Sequence, residues 1–186
     1  MSKKILYITT TSIFPLNSGD RLLTWGILKR MSLNNRVHLL NFKNERIYSN
    51  DEMGALNSIF EKVSLYSMSK PSIVKTMLYS FQLLPFMIAK RSDFNNSRLT
   101  KMIIKEGSYD VVIWDHLRST SFFVKNRFCN VLFEHNNEYK IVSNMLSTEE
   151  NFLKKMALSI QSWFMKNYLK KIHALMDKVL YVSSYD

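Results

Sequence analysis

The strongest constraint on the fold is an alternation along the chain between short apolar segments and amphipathic ones. The first segment, Lys4–Thr9, is apolar on both faces, and the segment from Asp20 to Leu33 spaces its apolar residues like a core-facing helix. Strands buried on both faces are typical of parallel sheets, whose strands need helix-length connections. The alternation therefore predicts an α/β fold, a Rossmann-like three-layer α/β/α arrangement with a mainly parallel sheet.

The same alternation continues to the end of the chain. A glycine, Gly107, is expected to end one helix as its C′ residue, and Ser147 with Glu150 forms a capping-box pattern that opens a long final helix. The predicted strands are Lys4–Thr9, Arg36–Phe42, Lys62–Tyr66, Asp110–Trp114, Asn130–Phe133 and Lys178–Val182. The predicted helices are Asp20–Leu33, Asp51–Phe60, Pro71–Lys90 with a break near Pro85, Ser97–Glu106, His116–Lys125 and Ser147–Met176.

Length and composition limit the class of protein. The chain has 186 residues, 46% of them hydrophobic and 22% charged, which fits one globular domain and excludes disordered and fibrous classes. The single Cys129 excludes an internal disulfide and a cysteine-based zinc site, and it fits a reducing compartment. The longest uncharged run, Thr76–Ala89, is too short to cross a bilayer, and the opening apolar run lacks a signal-peptide cleavage site, so we expect a cytoplasmic protein.

The loop after the first strand is a candidate anion site. Gly19, Asp20 and Arg21 stand where a strand-to-helix turn would present backbone amides and one positive charge at a helix N-terminus. The loop matches neither GxGxxG nor GxxxxGK[ST], so neither a dinucleotide site nor a P-loop is predicted. An ordinary turn without a ligand remains the alternative interpretation.

Two further loops place histidines beside acidic residues after predicted strands. Asp115 and His116 follow one strand, and His135 and Glu138 follow the next. A carboxylate can fix an imidazole tautomer, and the imidazole can then bind a hydroxyl or remove its proton. The alternative is that each histidine merely caps a helix. The spacings match no standard ligand pattern, so no metal site is predicted.

The positive charge of the chain is concentrated. The formal net charge is +11, and between Phe152 and Lys178 there are six lysines and one acid, with Trp163, Phe164 and Tyr168 among them. The segment Thr76–Arg91 is similarly apolar with basic flanks. Such helices suit anionic lipid headgroups. For each segment taken singly, however, the favoured interpretation is a core stripe with a solvated lysine face, and in the last helix this stripe runs from Leu153 through Tyr168 to Leu175. Nucleic acid is disfavoured as a partner because no recognised binding signature is present.

Several of these segments together resemble a known family. The opening Lys4–Leu22 segment, Tyr109–His116, the Glu134-His-Asn-Asn-Glu138 segment and Val179–Ser183 with Asp186 resemble, in order and spacing, bacterial family-four glycosyltransferases. That family has the GT-B architecture, in which two Rossmann-like domains face a cleft. The resemblance covers essentially the whole chain and implies that residues 1–186 form a single N-terminal, acceptor-side domain.

The resemblance also implies roles for individual residues. His135 would be catalytic beside the reacting sugar, Asp115, His116 and Glu138 would bind the acceptor, and the loop of Gly19, Asp20 and Arg21 would lie at the donor phosphate. A single glycine followed by Asp20 departs from the family's more common glycine pair, which puts direct phosphate contact in doubt.

The implied reaction is transfer of a sugar from a nucleotide-sugar to a lipid-linked or glycan acceptor in surface-polysaccharide assembly. The nucleotide-sugar would be a co-substrate held mainly by a C-terminal domain absent from this chain, and neither a cofactor nor a metal ion is implied. We therefore expect weak acceptor binding and negligible turnover by residues 1–186 alone, with a peripheral position at the inner face of the cytoplasmic membrane. The alternative function is a non-catalytic, membrane-recruiting subunit that pairs with a separate donor-binding protein.

Overall fold

The computed structural model describes residues 2–43, 47–68, 76 and 83–182, and within these residues strands and helices alternate. The strands are β1 (Lys4–Thr9), β2 (Arg36–Lys43), β3 (Lys62–Ser67), β4 (Val111–Asp115), β5 (Cys129–Glu134) and β6 (Lys178–Tyr181). The helices are α1 (Gly19–Ser32), α2 (Asn50–Ile59), α3 (Phe86–Ala89), α4 (Phe94–Gly107), α5 (His116–Ser119), α6 (Glu138–Thr148) and α7 (Phe152–His173), with a 3₁₀ turn at Thr120–Phe122.

The six strands form one sheet in the order β3-β2-β1-β4-β5-β6, and every neighbouring pair is parallel. The predicted α/β class is therefore confirmed. The strand order reverses between β1 and β4, and ligands of open parallel sheets bind at the carboxyl ends of the strands beside such a reversal. The register places Thr9 of β1 next to Asp115 of β4, and Asp115 next to Phe133 of β5.

Each face of the sheet has its own apolar core. Alternate residues of β1 divide between the two, with Leu6 and Ile8 on one face and Ile5 and Tyr7 on the other. The first face is covered by α3, α4, α5 and the C-terminal half of α7, and the second by α1 and α2. Full burial of one large apolar side chain stabilises the fold by roughly 1.5–3 kcal/mol, so the two cores hold the strand ends rigidly.

The last third of the chain differs from the prediction of one long helix. Ser147 does not cap a helix but lies inside α6, where its hydroxyl donates to the carbonyl of Asn144 (2.8 Å). α6 has its own cap, because the side chain of Asn137 accepts from the amide of Lys140. α7 begins after Asn151, whose side chain accepts from the amide of Lys154 (3.1 Å). Asparagine caps as well as serine, and these two asparagines divide the segment into two helices.

The predicted role of Gly107 was also wrong. Gly107 is the last residue of α4, and the left-handed C-cap conformation belongs to Ser108, at φ 45°. A Cβ on Gly107 would lie 1.9 Å from the ring of Tyr109, so this position requires glycine because of close packing.

Two other predicted helices match the observed helices only in part. The segment His116–Lys125 contains α5 and the 3₁₀ turn, and neither extends to Lys125. The predicted Pro71–Lys90 helix lies mostly outside the described residues, and its described part, α3, begins directly after Pro85.

Candidate functional site

The candidate site is built on two neighbouring strand ends, those of β4 and β5. Asp115 is the last residue of β4, and His135 directly follows β5. The His135 Nε2 atom lies 2.8 Å from Asp115 Oδ1, and the two side chains are 3% and 1% exposed. The predicted His/acid pairs thus meet across the two strands, because parallel strands end at the same edge of the sheet.

The hydrogen bond between Asp115 and His135 determines how the two ring nitrogens of His135 are used. Burial alone would raise the pKa of the Asp115 carboxyl, but the hydrogen bond with His135 and the nearby imidazoles outweigh burial and lower that pKa. An ionised carboxylate can only accept, so His135 donates through its Nε2–H. In the neutral imidazole the lone pair is then on Nδ1, which is buried and has no hydrogen-bond partner among the described residues. This arrangement leaves a basic nitrogen free to accept a proton.

His116 packs against this pair. Its backbone has a positive φ of 62°, and its ring stacks on that of His135 with 3.8 Å between centroids and 19° between planes. Positive φ at a residue other than glycine is strained and concentrates at functional sites. Burial lowers the pKa of His116, and the charges of His135 and Arg118 add to this effect, whereas Asp115 opposes it.

The same three side chains form a geometric candidate for a metal site. One possible ligand atom each from Asp115, His116 and His135 lies within 4.8 Å of the others. However, stacked, nearly parallel rings direct their in-plane lone pairs side by side, and those of His116 and His135 therefore do not converge on one ion. The tetrahedral or octahedral arrangements that metals prefer need convergent lone pairs. The geometry fits proton transfer better than metal ligation.

The loop after β1 and the first turn of α1 form the wall of a narrow cleft opposite Asp115. The cavity volume of the cleft is about 10 Å³, roughly the room that one water molecule needs, and the cleft is lined by Thr9, Thr11, Ser12, Ile13, Asp20, Arg21, Thr24, Asp115 and His116. A hydrogen bond from Ser18, together with the charges of His116 and Arg21, lowers the pKa of Asp20 despite its partial burial. An ionised carboxylate therefore faces the cleft.

The other two residues of this loop prediction are placed differently. Arg21 Nη1 donates back to the carbonyl of Pro15 (3.2 Å) and to the side chain of Asn17 (3.0 Å), so it braces its own loop. Gly19 begins α1 without a positive φ, and a Cβ there would meet no atom within 4 Å. Gly19 is therefore exposed, and its conformation does not require glycine.

A buried polar bridge from β2 fixes the shape of this loop. Asn41, fully buried, donates to the carbonyl of Thr11 (2.8 Å) and accepts from the hydroxyl of Tyr48 (3.1 Å). That hydroxyl accepts in turn from the backbone amide of Ile13 (3.0 Å). Buried polar groups that are fully paired define one conformation, so the cleft wall is preorganised.

The fourth predicted acceptor residue, Glu138, belongs to an adjacent ion cluster. Arg118 Nε lies 3.4 Å from Glu138 Oε1. Burial first, and then the charge of Glu134, raises the pKa of Glu138, while Arg118 and Arg91 oppose the rise. Next to it, His173 Nε2 lies 2.9 Å from Glu134 Oε1. Glu138 therefore lies in this cluster and is not among the described residues that line the cleft, and its acceptor-binding role stays a prediction.

The structure thus brings the predicted residues together only in part. Asp115, His116 and His135 touch one another, and Asp20 and Arg21 face two of them across the cleft. The sequence interpretation missed Tyr7, whose hydroxyl is buried beside Asp115 and whose pKa is raised well above its ordinary value, first by burial and then by that carboxylate. A tyrosine in an apolar strand carries no signal of such a role. Arg91, expected on a lipid-facing surface, is partly buried near Arg118.

Comparison with known proteins adds a likeness in fold. No protein-family profile and no curated protein matches the sequence. A solved structure that resembles this chain is that of UGT71G1 from Medicago truncatula in complex with UDP-glucose, at 12% identity and a TM-score of 0.45. The alignment covers 81% of this chain and 32% of the other, so the chain spans about a third of that protein's length. Membership of family four stays a prediction, and functional inference rests on the site.

Proposed function

We propose that this chain is the acceptor-binding half of a glycosyltransferase, in which His135 is the general base. The observation that carries this proposal is the buried Asp115–His135 hydrogen bond, which leaves the lone pair on His135 Nδ1. Its position at the carboxyl edge of the sheet, beside the reversal of strand order, is where such folds bind ligands.

The proposed step needs one proton acceptor and one nucleophile. Nδ1 of His135 is buried in this structure, so the step requires that acceptor binding expose it. His135 Nδ1 then takes the proton from the acceptor hydroxyl, and the oxygen attacks the anomeric carbon of the sugar. The bond from that carbon to the diphosphate breaks, and the nucleoside diphosphate leaves with the electron pair. Asp115 stabilises the imidazolium that forms, because its carboxylate is already hydrogen-bonded to Nε2–H.

The cleft beside this pair has room for an acceptor hydroxyl next to Asp115 and His116, whereas His135 is not among its described lining residues. Its polar lining consists of threonine and serine hydroxyls, the Asp20 carboxylate, Arg21 and His116. Carboxylates accept strongly from sugar hydroxyls and repel phosphates, so Asp20 favours an acceptor sugar over a donor phosphate on this side. We therefore assign the donor mainly to a second domain, and the cleft to a lipid-linked or glycan acceptor.

The wider setting belongs to the same proposal. The resemblance to family-four enzymes suggests surface-polysaccharide assembly at the inner face of the cytoplasmic membrane, with a nucleotide-sugar as co-substrate. The isolated chain would bind acceptor weakly and turn over negligibly without a donor-binding domain.

The test is complementation of a deletion of the gene. Membranes from complemented cells receive a panel of radiolabelled nucleotide-sugars, and incorporation into lipid and glycan fractions is measured. We expect wild type to restore incorporation from one donor, and His135→Ala to lower its rate about 10²- to 10⁴-fold at equal protein level. His38→Gln, which alters a buried histidine at the other edge of the sheet, is the matched control. Full activity of His135→Ala, or no donor-dependent incorporation with wild type, would overturn the proposal.

A further inference from the structure

We propose that the solvent-facing stripe of α7, formed by Phe152, Leu153, Met156, Ile160 and Trp163, docks onto an anionic lipid surface. This inference does not rest on the assignment of His135, because it concerns a different surface and needs no reaction. The name "α7 stripe" refers to these five residues below.

The α7 stripe is on the face of its helix that points away from the core. At 3.6 residues per turn, its members occupy about 100° of the helix circumference. The side chains that α7 buries are Met165, Tyr168 and Ile172, which are centred about 140° away on the same helical wheel. The sequence interpretation favoured a single core stripe running through Leu153 and Tyr168, and the structure separates it into an exposed part and a buried part.

The exposure of the stripe is large. Phe152 is 77% exposed, Leu153 68% and Trp163 56%. Single exposed apolar residues are ordinary, but contiguous ones indicate a binding surface. Two residues of α6, Ile141 and Met145, are also exposed on the neighbouring helix of this hairpin.

The charge around the stripe is complementary to anionic lipid. α7 contains five lysines and no acidic residue, and Lys155, Lys166 and Lys170 lie on or beside the arc of the stripe. The nearest acids in sequence are Glu149 and Glu150, which precede the helix at its positive dipole end, and Asp177, which follows its other end. Lysine stems can pack on apolar surface while their ammonium groups reach the headgroups.

This combination favours lipid over a protein partner. Lysine is depleted in the centres of protein–protein interfaces, whereas aromatic and aliphatic residues combined with lysine are typical of helices that lie in the membrane interface. None of the helices in the described part of the chain is long and apolar enough to cross a membrane. Docking would therefore be peripheral.

The hairpin also connects the surface to the candidate site. α6 begins at Glu138, three residues after His135, and packs on α7 along the hairpin. A membrane bound by the α7 stripe would thus meet an element that starts at the site, which is an arrangement suited to an acceptor held in the membrane.

The experiment is co-sedimentation of the whole chain with vesicles, without donor or acceptor. Vesicles of phosphatidylcholine alone are compared with vesicles containing about 30 mol% phosphatidylglycerol. We expect at least a 10-fold larger partition coefficient on the anionic vesicles, and weaker binding as salt is raised. Phe152→Ser with Ile160→Ser should reduce binding about 10-fold or more, and Lys155→Gln with Lys166→Gln should reduce only the anionic component.

The matched control is Leu33→Ser with Phe94→Ser, which removes two exposed apolar residues at the end of α1 and the start of α4 and should leave binding unchanged. Quenching of Trp163 fluorescence by brominated lipid reports insertion of the stripe. The Trp163→Phe variant measures the fluorescence of the other two tryptophans, which is subtracted. Circular dichroism checks that each variant is folded. Equal binding to both kinds of vesicle, no binding, equal loss in the control, or stripe-dependent dimers in solution would each overturn the proposal. Transfer activity plays no part in the readout, so failure here is distinct from failure of the proposed reaction.

Discussion

Two buried histidines lie at opposite edges of the same sheet and differ in how their ring nitrogens are used. His38, near the amino end of β2, has both nitrogens paired, with Nδ1 2.5 Å from the hydroxyl of Tyr109 and Nε2 2.9 Å from that of Ser64. His135, at the carboxyl edge, has one nitrogen paired with Asp115 and the other without a partner in the described structure.

The charges around His38 and His135 also differ. Burial first, and then the positive charges of Lys62 and Lys4, lowers the pKa of His38 to about 4. His38 is therefore a neutral, fully satisfied core residue near neutral pH. His135 instead faces a carboxylate that would stabilise its charged form.

Burial of a histidine therefore does not by itself indicate function. Hydroxyl partners on both nitrogens of His38 leave the ring without a free lone pair that could accept a proton. One carboxylate partner and one free lone pair make a base whose conjugate acid is stabilised. The predictions below change one partner at a time.

The largest expected effect is from Asp115→Asn. The amide oxygen can still accept from His135 Nε2–H, but it carries no charge to stabilise the imidazolium, so transfer in the complemented membranes should fall about 10²- to 10⁴-fold. The matched control is Asp110→Asn, just before β4, where the carboxylate accepts from the amide of Lys4 and forms an exposed ion pair with Lys3. A rate for Asp115→Asn within 3-fold of the Asp110→Asn rate would remove the distinction between the two edges.

The second effect is the acid sensitivity of folding that His38 contributes. The pKa of His38 is lowered from 6.5 to about 4 in the folded chain. Between these two pH values the imidazole is protonated in the unfolded chain but stays neutral in the folded chain. Stability is therefore full above pH 6.5 and is lost as the pH falls towards 4. Between pH 7 and 4.5 the loss from this group is about 2–3 kcal/mol.

Urea denaturation at pH 7, 5.5 and 4.5 measures this contribution. His38→Gln keeps a donor and an acceptor but does not titrate, so its stability should fall less over the same range by that amount. Parallel curves for wild type and His38→Gln would contradict the assignment of His38 as a buried neutral residue.

The fold was largely predictable because it depends on periodicity. Apolar runs such as Lys4–Thr9 fix strands buried on both faces, and the alternation with helices leaves few topologies for a parallel sheet. The predicted helix boundaries were wrong where a neighbouring residue capped the helix in place of the predicted one. Asn137 and Asn151 cap two helices where the Ser147 pattern suggested one start, and Ser108 adopts the left-handed conformation expected of Gly107.

The site was predictable only in its residue types. Strand ends place Asp115 and His135 near each other, but no pattern shows which ring nitrogen stays unpaired or that the His116 ring stacks on His135. The same limit applies to α7, where spacing identifies an apolar stripe without showing which part faces the core. Those facts depend on side-chain packing between distant segments, which periodicity does not encode.

The smallest expected effect is from Tyr109→Phe, which gives His38 an unpaired nitrogen like that of His135. Loss of this hydroxyl partner of Nδ1 should cost about 1 kcal/mol at pH 7. In the tautomer whose Nδ1 accepts from the hydroxyl, the hydrogen bond favours the neutral ring, and for that tautomer its removal should raise the pKa of His38 towards 6.5 and reduce the acid sensitivity described above.

Tyr168→Phe is the matched hydroxyl deletion, since that hydroxyl pairs with Thr120 Oγ1 (2.8 Å) away from any histidine. It should cost a similar amount at pH 7 and leave the dependence on pH unchanged. If both tyrosine variants kept the full acid sensitivity of wild type, the Tyr109 hydroxyl would not be what holds His38 neutral. In that case burial and the lysine charges alone would account for the difference between His38 and His135, and partner chemistry would distinguish only the site at the carboxyl edge.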